Sequence, residues 1–378
     1  MRDPGTDRNL YDRFFFNGYP TKGAGAGSEF FAAAFGLYPG RNVVDGAFSV
    51  IDDGVQHTVR GSRLMGDERL DLHCGPITIE IVEPLHRLRL SIDDPTVRAS
   101  LEFTSRGPAV EEPRTHYGPG HLTTFDITRL TQNGTWSGWI EAGDRVGAHR
   151  VDVRSETWRG TRDRSWGIRP TGEPLPPGAP DTGTHPSPQF FWLWAPINLD
   201  DENLLIDVNE WADGSRWHEN AMACPVGGHV SSVNSAPQSL RSRSAPVDHH
   251  DEVAIGQHTY EITWKPGTRH ATAADLHLAF PDGRRLDVHL DASMTFYMQG
   301  IGYSHPKWRH GAYLGPDERS SDSQVLAEVN EADPIAQHVQ ILSRVTTGDG
   351  RQGWGILEMA IFGPHSPSGF TGLLDMRP

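Results

Sequence analysis

The protein has 378 residues and a formal net charge of −15, from 34 Lys and Arg against 49 Asp and Glu. An acidic chain without a basic run is a poor partner for phosphate backbones, so we expect no binding to nucleic acid. No segment approaches the roughly 18–20 apolar residues of a membrane helix, and the N-terminus has no apolar signal stretch, so we expect a cytoplasmic protein with no transmembrane segment.

Glycine and proline are abundant, with 41 and 28 residues, and leave little room for long helices. An all-β fold of short strands joined by tight turns is therefore predicted, with only Glu29–Leu37 able to form a short helix. Dipeptides that suit two-residue hairpin turns recur along the chain. They are Asp53-Gly54, Asn133-Gly134, Asp213-Gly214, Asp282-Gly283 and Asp349-Gly350.

A proline-rich stretch over residues 170–188 divides the chain almost evenly. Proline cannot donate to a sheet ladder, so this stretch is expected to be a connector or an extended loop. Halves of this size suit antiparallel barrels or sandwiches of roughly eight strands. We therefore predict two consecutive β-barrels, residues 1–180 and 181–378.

The first candidate site is the charged segment Arg162–Arg169, at the end of a predicted strand. Arginines that point at Asp163 would hold its carboxylate ionised. In a dry pocket lined by indoles, the same carboxyl would stay protonated and serve as an acid. A structural Arg–Asp pair that fastens the strand to the second half is the alternative.

A second cluster of proton-transfer groups lies within residues 300–311 and includes Tyr303, His305, Trp308 and His310. Loops at barrel mouths often carry such groups, although a solvated polar loop is equally compatible with the pattern. Pro306 follows His305 and prevents the helical spacing that would bring two imidazoles together on one metal. No metal site is therefore predicted.

Tryptophan is the third signal, with 11 residues, most of them in the middle of the chain. Indoles often belong to the core, but several closely spaced ones also suit an aromatic cavity for an apolar ligand. The residues in this region are Trp136, Trp139, Trp158, Trp166, Trp192, Trp194, Trp211 and Trp217.

The segment Asp163-Arg164-Ser165-Trp166-Gly167, followed by the aromatic run Phe190–Trp194, resembles the carotenoid 1,2-hydratase/AttH-like group of two-domain lipocalin-like proteins. Tocopherol cyclases and fungal lipocalin-like Diels–Alderases are similar in architecture. The resemblance implies two lipocalin-like barrels, no cofactor, and a hydrophobic pocket for a terpenoid, polyene or polyketide. It also implies that Asp163 donates a proton and that Trp136 stabilises the resulting cation.

The sequence departs from the hydratase pattern immediately before the aspartate, where Thr161 and Arg162 replace aromatic residues. A cation beside Asp163 would depress the pKa of its carboxyl and oppose proton donation. Arg162 would instead suit an anionic or carbonyl-bearing substrate.

Three hypotheses follow. The first is a cofactor-independent hydratase/lyase or cyclase/isomerase that acts on an apolar small molecule through Asp163, Tyr303 and His305. Its predicted substrate-binding residues are Trp136, Arg162, Trp166, Trp192, Trp194, Trp308 and His310. The second is a non-catalytic carrier of an apolar ligand, and the third is a sugar-active β-sandwich using scattered carboxylates such as Glu210 and Glu219. The sequence does not determine the oligomeric state, and a homodimer is one of the possibilities.

Overall fold

A computed structural model describes residues 7–117, 125–143, 149–169, 189–227 and 253–377. The predicted all-β class is confirmed, because these residues form antiparallel strands and a few single-turn 3-10 helices. The helices are Pro39–Arg41, Met298–Ile301, Leu326–Glu328, Pro334–Ala336 and Ser366–Ser368. None of the helices in the described ranges is long and apolar enough to span a membrane.

The strands are named in chain order. Those of the first half are β1 (Leu10–Pro20), β2 (Phe30–Tyr38), β3 (Val43–Asp52), β4 (Val55–Leu64), β5 (His73–Cys74), β6 (Ile77–Glu83), β7 (Arg87–Asp93), β8 (Val97–Ser105), β9 (Val110–Glu111), β10 (Thr115–Tyr117), β11 (Phe125–Ala142), β12 (His149–Val153) and β13 (Trp158–Ile168). Those of the second half are β14 (Phe190–Leu199), β15 (Glu202–Glu210), β16 (Arg216–Pro225), β17 (Val253–Ala254), β18 (Gln257–Trp264), β19 (Ala271–Ala279), β20 (Arg285–Tyr297), β21 (Asp317–Val325), β22 (His338–Thr347) and β23 (Gln352–Phe362).

The first sheet has 14 strands in the order β21-β4-β3-β2-β1-β13-β11-β8-β7-β6-β5, with β9, β10 and β12 also paired to β11. One of its edge strands, β21, comes from the second half of the chain and pairs with β4 from Asp317↔Arg63 to Val325↔Val55. The proposed boundary between residues 180 and 181 lies outside the described residues, and β21 links the two halves across it.

The first sheet curls until its two ends pack together. At this closure a Cβ on Gly61 would lie only 2.7 Å from the carbonyl oxygen of Cys74 and 2.9 Å from the Cα of Gly75. Glycine is thus the residue that allows the two backbones to approach this closely. The curled sheet encloses an aromatic and aliphatic core centred on Phe31, Phe103 and Trp136.

The second sheet has 9 strands in the order β17-β16-β15-β14-β23-β22-β20-β19-β18 and encloses its own apolar core. A third core joins the two sheets and contains residues from both, such as Phe15 and Phe30 from the first and Trp194, Phe296 and Ile356 from the second. The outer faces of the two barrels are therefore packed against each other, and this contact contains the candidate site.

Two local predictions were wrong, for reasons of burial. The segment expected to form a short helix is β2, Phe30–Tyr38, and all of its residues are buried. Its side chains enter the first core on one face and the shared core on the other, so the strand shows no polar alternation. Gly134, expected at a hairpin turn, lies inside β11, where a Cβ would meet the Phe103 ring at 2.3 Å.

The other four dipeptides lie at strand junctions, as predicted. Asp53 and Gly54, between β3 and β4, have φ angles of 46° and 74°, which is the left-handed backbone of a two-residue hairpin turn. The remaining three glycines, Gly214, Gly283 and Gly350, also have positive φ.

Candidate functional site

Strand alternation decides which charged residues of β13 share a surface. Asp163 and Ser165 face the second barrel, whereas Arg162 and Arg164 point into the interior of the first. Arg162 donates from Nε to Oε1 of Gln132 at 2.8 Å, and its guanidinium lies 5.9 Å from the Phe103 ring centroid. Sequence neighbours on this strand therefore belong to different environments.

A cavity of about 300 Å³ lies between the outer faces of the two barrels. This size is within the range of small-molecule sites. One part of its wall is aromatic and is formed by Phe15, Phe125, Phe190, Trp192, Trp194, Trp217 and Phe362. Another part carries the ionisable and hydroxyl groups of Arg13, Arg129, Asp163, Ser165, Arg169, Tyr303, His338 and Glu358.

Asp163 lies on the wall that the first barrel provides. Among the described residues its carboxyl has no hydrogen bond and no ion pair within 4.0 Å, although Arg129 and Arg13 are close enough to influence it. Burial raises the pKa of the Asp163 carboxyl to about 6, and the partial opposition of Arg129 does not reverse this. The expectation that Arg162 depresses this pKa was wrong, because Arg162 faces the other side of the strand.

Glu358 and His338 form a hydrogen-bonded pair on the wall provided by the second barrel. The His338 Nε2 and Glu358 Oε1 atoms are 2.7 Å apart. Glu358 also accepts hydrogen bonds from Gln340 Nε2 at 2.6 Å and from Trp192 Nε1 at 3.2 Å. Burial opposes ionisation of Glu358, but the bonds from His338 and Gln340 outweigh it and hold the pKa of the carboxyl below its usual value.

Tyr303 follows the short helix Met298–Ile301 and reaches the cavity between two imidazoles. Its ring makes edge contacts with His310 and His338, each at a centroid distance of 4.3 Å. The Arg13 guanidinium lies 4.7 Å from the same ring centroid and that of Arg169 lies 5.4 Å from it. Tyr303 therefore connects the cationic part of the wall to His338.

The three arginines of the cavity differ in their partners. Arg129 forms an ion pair with Glu112 at 2.9 Å and lies 4.7 Å from the Trp192 ring centroid. Arg13 donates to Nδ1 of His310 at 2.7 Å, and no carboxylate of the described residues lies within 4.0 Å of Arg13 or Arg169. Burial and the Arg13 charge hold the pKa of His310 well below its ordinary value, so the imidazole is the neutral acceptor that Arg13 requires.

Trp192, Trp194, Asp163 and Tyr303 are the predicted site residues that line the cavity. His310 lies behind the cavity wall and contacts Arg13 and Tyr303. Trp308 lines a separate small recess with His310. These residues come from distant parts of the sequence, and the contact between the two barrels brings them together.

The other predicted site residues lie elsewhere. Trp136 is fully buried in the core of the first barrel and donates from Nε1 to the carbonyl oxygen of Asn17 at 2.8 Å. Trp166 lies on the face of β13 opposite Asp163 and is not among the lining residues. His305 lines an open recess near Arg60, and its Nδ1 accepts from the backbone N–H groups of Lys307 and Trp308.

The two carboxylates considered for a sugar-active site also lie outside the cavity. Glu210 and Glu219 both contact Arg216, with separations of 3.4 and 2.7 Å, and Glu210 additionally contacts His365 at 2.9 Å. Both carboxylates thus have structural ion-pair partners, and neither faces Asp163.

Glu112, Asp207 and His218 are the described residues whose potential metal-ligand atoms lie together, within 4.8 Å of one another. They join the two barrels, since Glu112 lies between β9 and β10 whereas Asp207 and His218 lie on β15 and β16. Arg129 and Thr131 already contact the Glu112 oxygens, and His218 already contacts Asp207 at 2.7 Å. Burial and the nearby Asp207 charge raise the pKa of the Glu112 carboxyl to about 7.

The sequence analysis did not single out Arg13, Arg129, His338 or Glu358, and it named Arg169 only as the end of the charged segment Arg162–Arg169. Glu358 carried a usable signal, because it is the one charged residue in the apolar run from Ile356 to Ile361. An acid in such a strand faces either a partner or a site. The arginines carried no comparable signal, since they come together only through the long-range pairing of β1 and β11 with β13 in the first sheet.

The fold and the cavity define a two-barrel, lipocalin-like protein with a small-molecule-sized site between the barrels. The chain belongs to a family of unknown function, DUF8625, whose model matches residues 1–371. No curated protein sequence is a significant match to it.

Among solved structures, the chain is similar to a Nitrosomonas europaea protein provisionally assigned as AttH. The identity is 14%, the TM-score is 0.54, and the match covers 93% of this chain and 92% of that one. It is also similar to CghA with Sch210972, at 13% identity and a TM-score of 0.48 over 94% of this chain and 89% of that one. Free CghA gives the same identity and TM-score and covers 88% of its chain. The TM-score of 0.54 to the first of these structures indicates a shared fold, and at 14% identity the likeness shows the fold alone.

Proposed function

We propose that the protein is a cofactor-independent enzyme that transfers protons to and from an apolar small molecule bound between the two barrels. The reaction class is hydratase/lyase or cyclase/isomerase, and the substrate class is a terpenoid, polyene or polyketide. The observation that carries this proposal is the placement of Asp163, with its raised pKa, opposite the His338–Glu358 pair in an aromatic cavity. A carboxyl whose raised pKa favours its acid form and a base on the facing wall suit general acid–base catalysis.

In the proposed reaction, Asp163 donates its proton to one carbon of a substrate double bond. The faces of Trp192 and Trp194 stabilise the positive charge that develops, as indoles do for cations. Loss of a proton from a neighbouring carbon to His338 completes an isomerisation or cyclisation, and addition of water followed by loss of one of its protons completes a hydration. Asp163 then regains a proton from solvent, and water is the one co-reactant, consumed only in the hydration.

Glu358 would act through His338 rather than on the substrate. A carboxylate hydrogen-bonded to an imidazole fixes the orientation of the ring and stabilises the imidazolium that forms when the ring takes a proton. Tyr303, in contact with the His338 ring, is the proposed partner in returning that proton to solvent. His305 has no comparable position, because it does not line the cavity.

The test is deuterium incorporation from heavy water. Apolar extracts of the host are incubated in D₂O with the wild-type protein, and each component is followed by chromatography and mass spectrometry. We expect at least one component to change its retention time and to gain deuterium with the wild-type protein and with Asp152→Asn, a surface control. Asp163→Asn should abolish this change but still bind the same component.

The result that would contradict the proposal is a component that co-purifies with the protein and never changes. That outcome would favour the carrier function. Asp163→Asn would then leave both the identity and the amount of the bound component unchanged.

A further inference from the structure

We propose that the cavity holds its ligand by an acidic oxygen group, a carboxylate or an enolate, bound between Arg13 and Arg169. The proposal uses the same cavity as the proposed function and adds the chemical class of the ligand: an apolar body with one anionic end. It concerns binding alone and can therefore be tested without any turnover.

Arg13 is buried, with 2% of its surface exposed, yet its hydrogen-bonding capacity is not filled. Its Nη1 donates to the neutral His310 ring at 2.7 Å and its Nη2 to the Ile301 carbonyl at 3.4 Å. Its Nε has no hydrogen-bond partner. Since a buried charged donor without a partner is costly, an acceptor from a ligand is the expected complement.

Arg169 approaches the same point from the end of β13. The two guanidinium carbons lie 4.7 and 5.4 Å from the centroid of one ring, that of Tyr303. Both positive charges also act on the same neighbours, Asp163 and His310. Both arginines line the cavity, and no carboxylate within the described ranges forms an ion pair with either. Arg129, by contrast, has an ion-pair partner in Glu112 at 2.9 Å.

The acidic groups around this pair form no ion pair with it. Glu358 is held by His338 and Gln340, at 2.7 and 2.6 Å. Asp45, which faces Arg13 from β3, accepts from the Gly311 N–H at 2.6 Å. Asp163 is close to both arginines but forms an ion pair with neither, and burial raises the pKa of its carboxyl.

Guanidinium groups bind carboxylates and related planar anions through two parallel N–H donors. An anion between Arg13 and Arg169 would supply the missing charge, while the aromatic wall would bury the rest of the molecule. Such an anion would also oppose ionisation of the neighbouring Asp163 and thereby keep that carboxyl protonated. A ligand with an acidic end would therefore favour the acid form of Asp163 on binding.

The experiment compares dodecanoate with dodecan-1-ol, which share an apolar chain and differ in the charged end. Binding to the full-length protein at pH 8 is measured by titration calorimetry, with the fluorescence of the cavity tryptophans as a second readout. We expect dodecanoate to bind at least about tenfold more tightly than the alcohol. Arg169→Gln should remove most of this preference and leave binding of the alcohol unchanged.

Arg159→Gln, which changes an arginine at the start of the same strand outside the cavity, is the matched control and should keep the preference. Arg13→Lys, which retains the charge but not the two parallel N–H donors of a guanidinium, should reduce the preference for dodecanoate. Equal affinity of the wild-type protein for the acid and the alcohol would overturn the anion site and leave the apolar cavity of the proposed function intact. Binding of neither compound would contradict both.

Discussion

The His338 imidazole and the Glu358 carboxylate are held 2.7 Å apart on the neighbouring strands β22 and β23, with the imidazole lining the cavity. Because Gln340 and Trp192 also donate to Glu358, the carboxylate is fixed in one orientation and stays ionised. This arrangement leaves His338 as the group that meets the ligand and Glu358 as the residue that positions it.

We predict that Glu358→Gln lowers turnover by about 10²–10⁴-fold, because an amide cannot stabilise a protonated His338. Ligand affinity should change much less, since the Glu358 carboxylate already accepts hydrogen bonds from other side chains. The measurement is kcat and KM separately, together with the pH dependence of kcat. A loss confined to KM would assign Glu358 to ligand binding instead.

The pKa of Asp163 predicts how the rate depends on pH. If Asp163 must be protonated to donate, kcat/KM should be constant below about pH 6 and fall as pH rises through about 6. Asp163→Asn should be slower by about 10²–10⁴-fold and lose this dependence. A rate that rises through the same pH range would indicate that Asp163 accepts a proton rather than donating one.

Glu112 predicts a pH dependence of stability. The pKa of its carboxyl is about 7 in the folded protein against an ordinary value of 4.5, so the folded state binds the proton more tightly than the unfolded state does. Stability from this group is therefore full below about pH 4.5 and is lost as pH rises to about 7. In urea unfolding, Glu112→Gln should show a smaller decline between these pH values than the wild-type protein.

Asp163 contributes in the same direction, because its pKa is also raised. The double variant Glu112→Gln/Asp163→Asn, compared with Glu112→Gln alone, separates the contributions of the two groups to the pH dependence of stability. An unchanged decline in Glu112→Gln would show that Glu112 is ionised throughout, held by Arg129.

Trp136 offers a test of a role that the family resemblance implies. Its indole is buried against the rings of Phe16, Phe31 and Phe103, and its N–H is bonded to Asn17. Trp136→Phe should therefore lower the free energy of unfolding by roughly 1–3 kcal/mol and leave dodecanol binding unchanged. Trp192→Phe, in the cavity wall, should weaken dodecanol binding and leave the free energy of unfolding nearly unchanged. A selective loss of turnover in Trp136→Phe would support the cation-stabilising role.

The fold class and most hairpins could be predicted because alternation and turn dipeptides are local signals. β2 could not, since a strand buried on both faces looks like any short apolar run. The anionic side of the site was within reach, because Asp163 lies in a conspicuous charged segment and Glu358 is the one charged residue of an apolar run. The cationic side was not, because Arg13 and Arg129 come near Arg169 only through the long-range pairing of β1 and β11 with β13.

The sequence also indicated the wrong neighbour for Asp163. Adjacent residues of a strand point to opposite faces, so proximity along the chain placed Arg162 beside Asp163 when Arg13 and Arg129 are the relevant cations. Cytoplasmic localisation remains a prediction from the sequence.

The pairing of β21 with β4 determines whether the two halves of the chain can be expressed separately or exchanged between relatives. The strand β21 comes from the second half of the chain and covers the edge of β4 in the first barrel from Val55 to Arg63. A fragment ending at residue 180 would leave that edge open, and open edges recruit other chains. Neither half is thus expected to be exchangeable with that of a relative on its own, and recombination between relatives should preserve both halves as one unit.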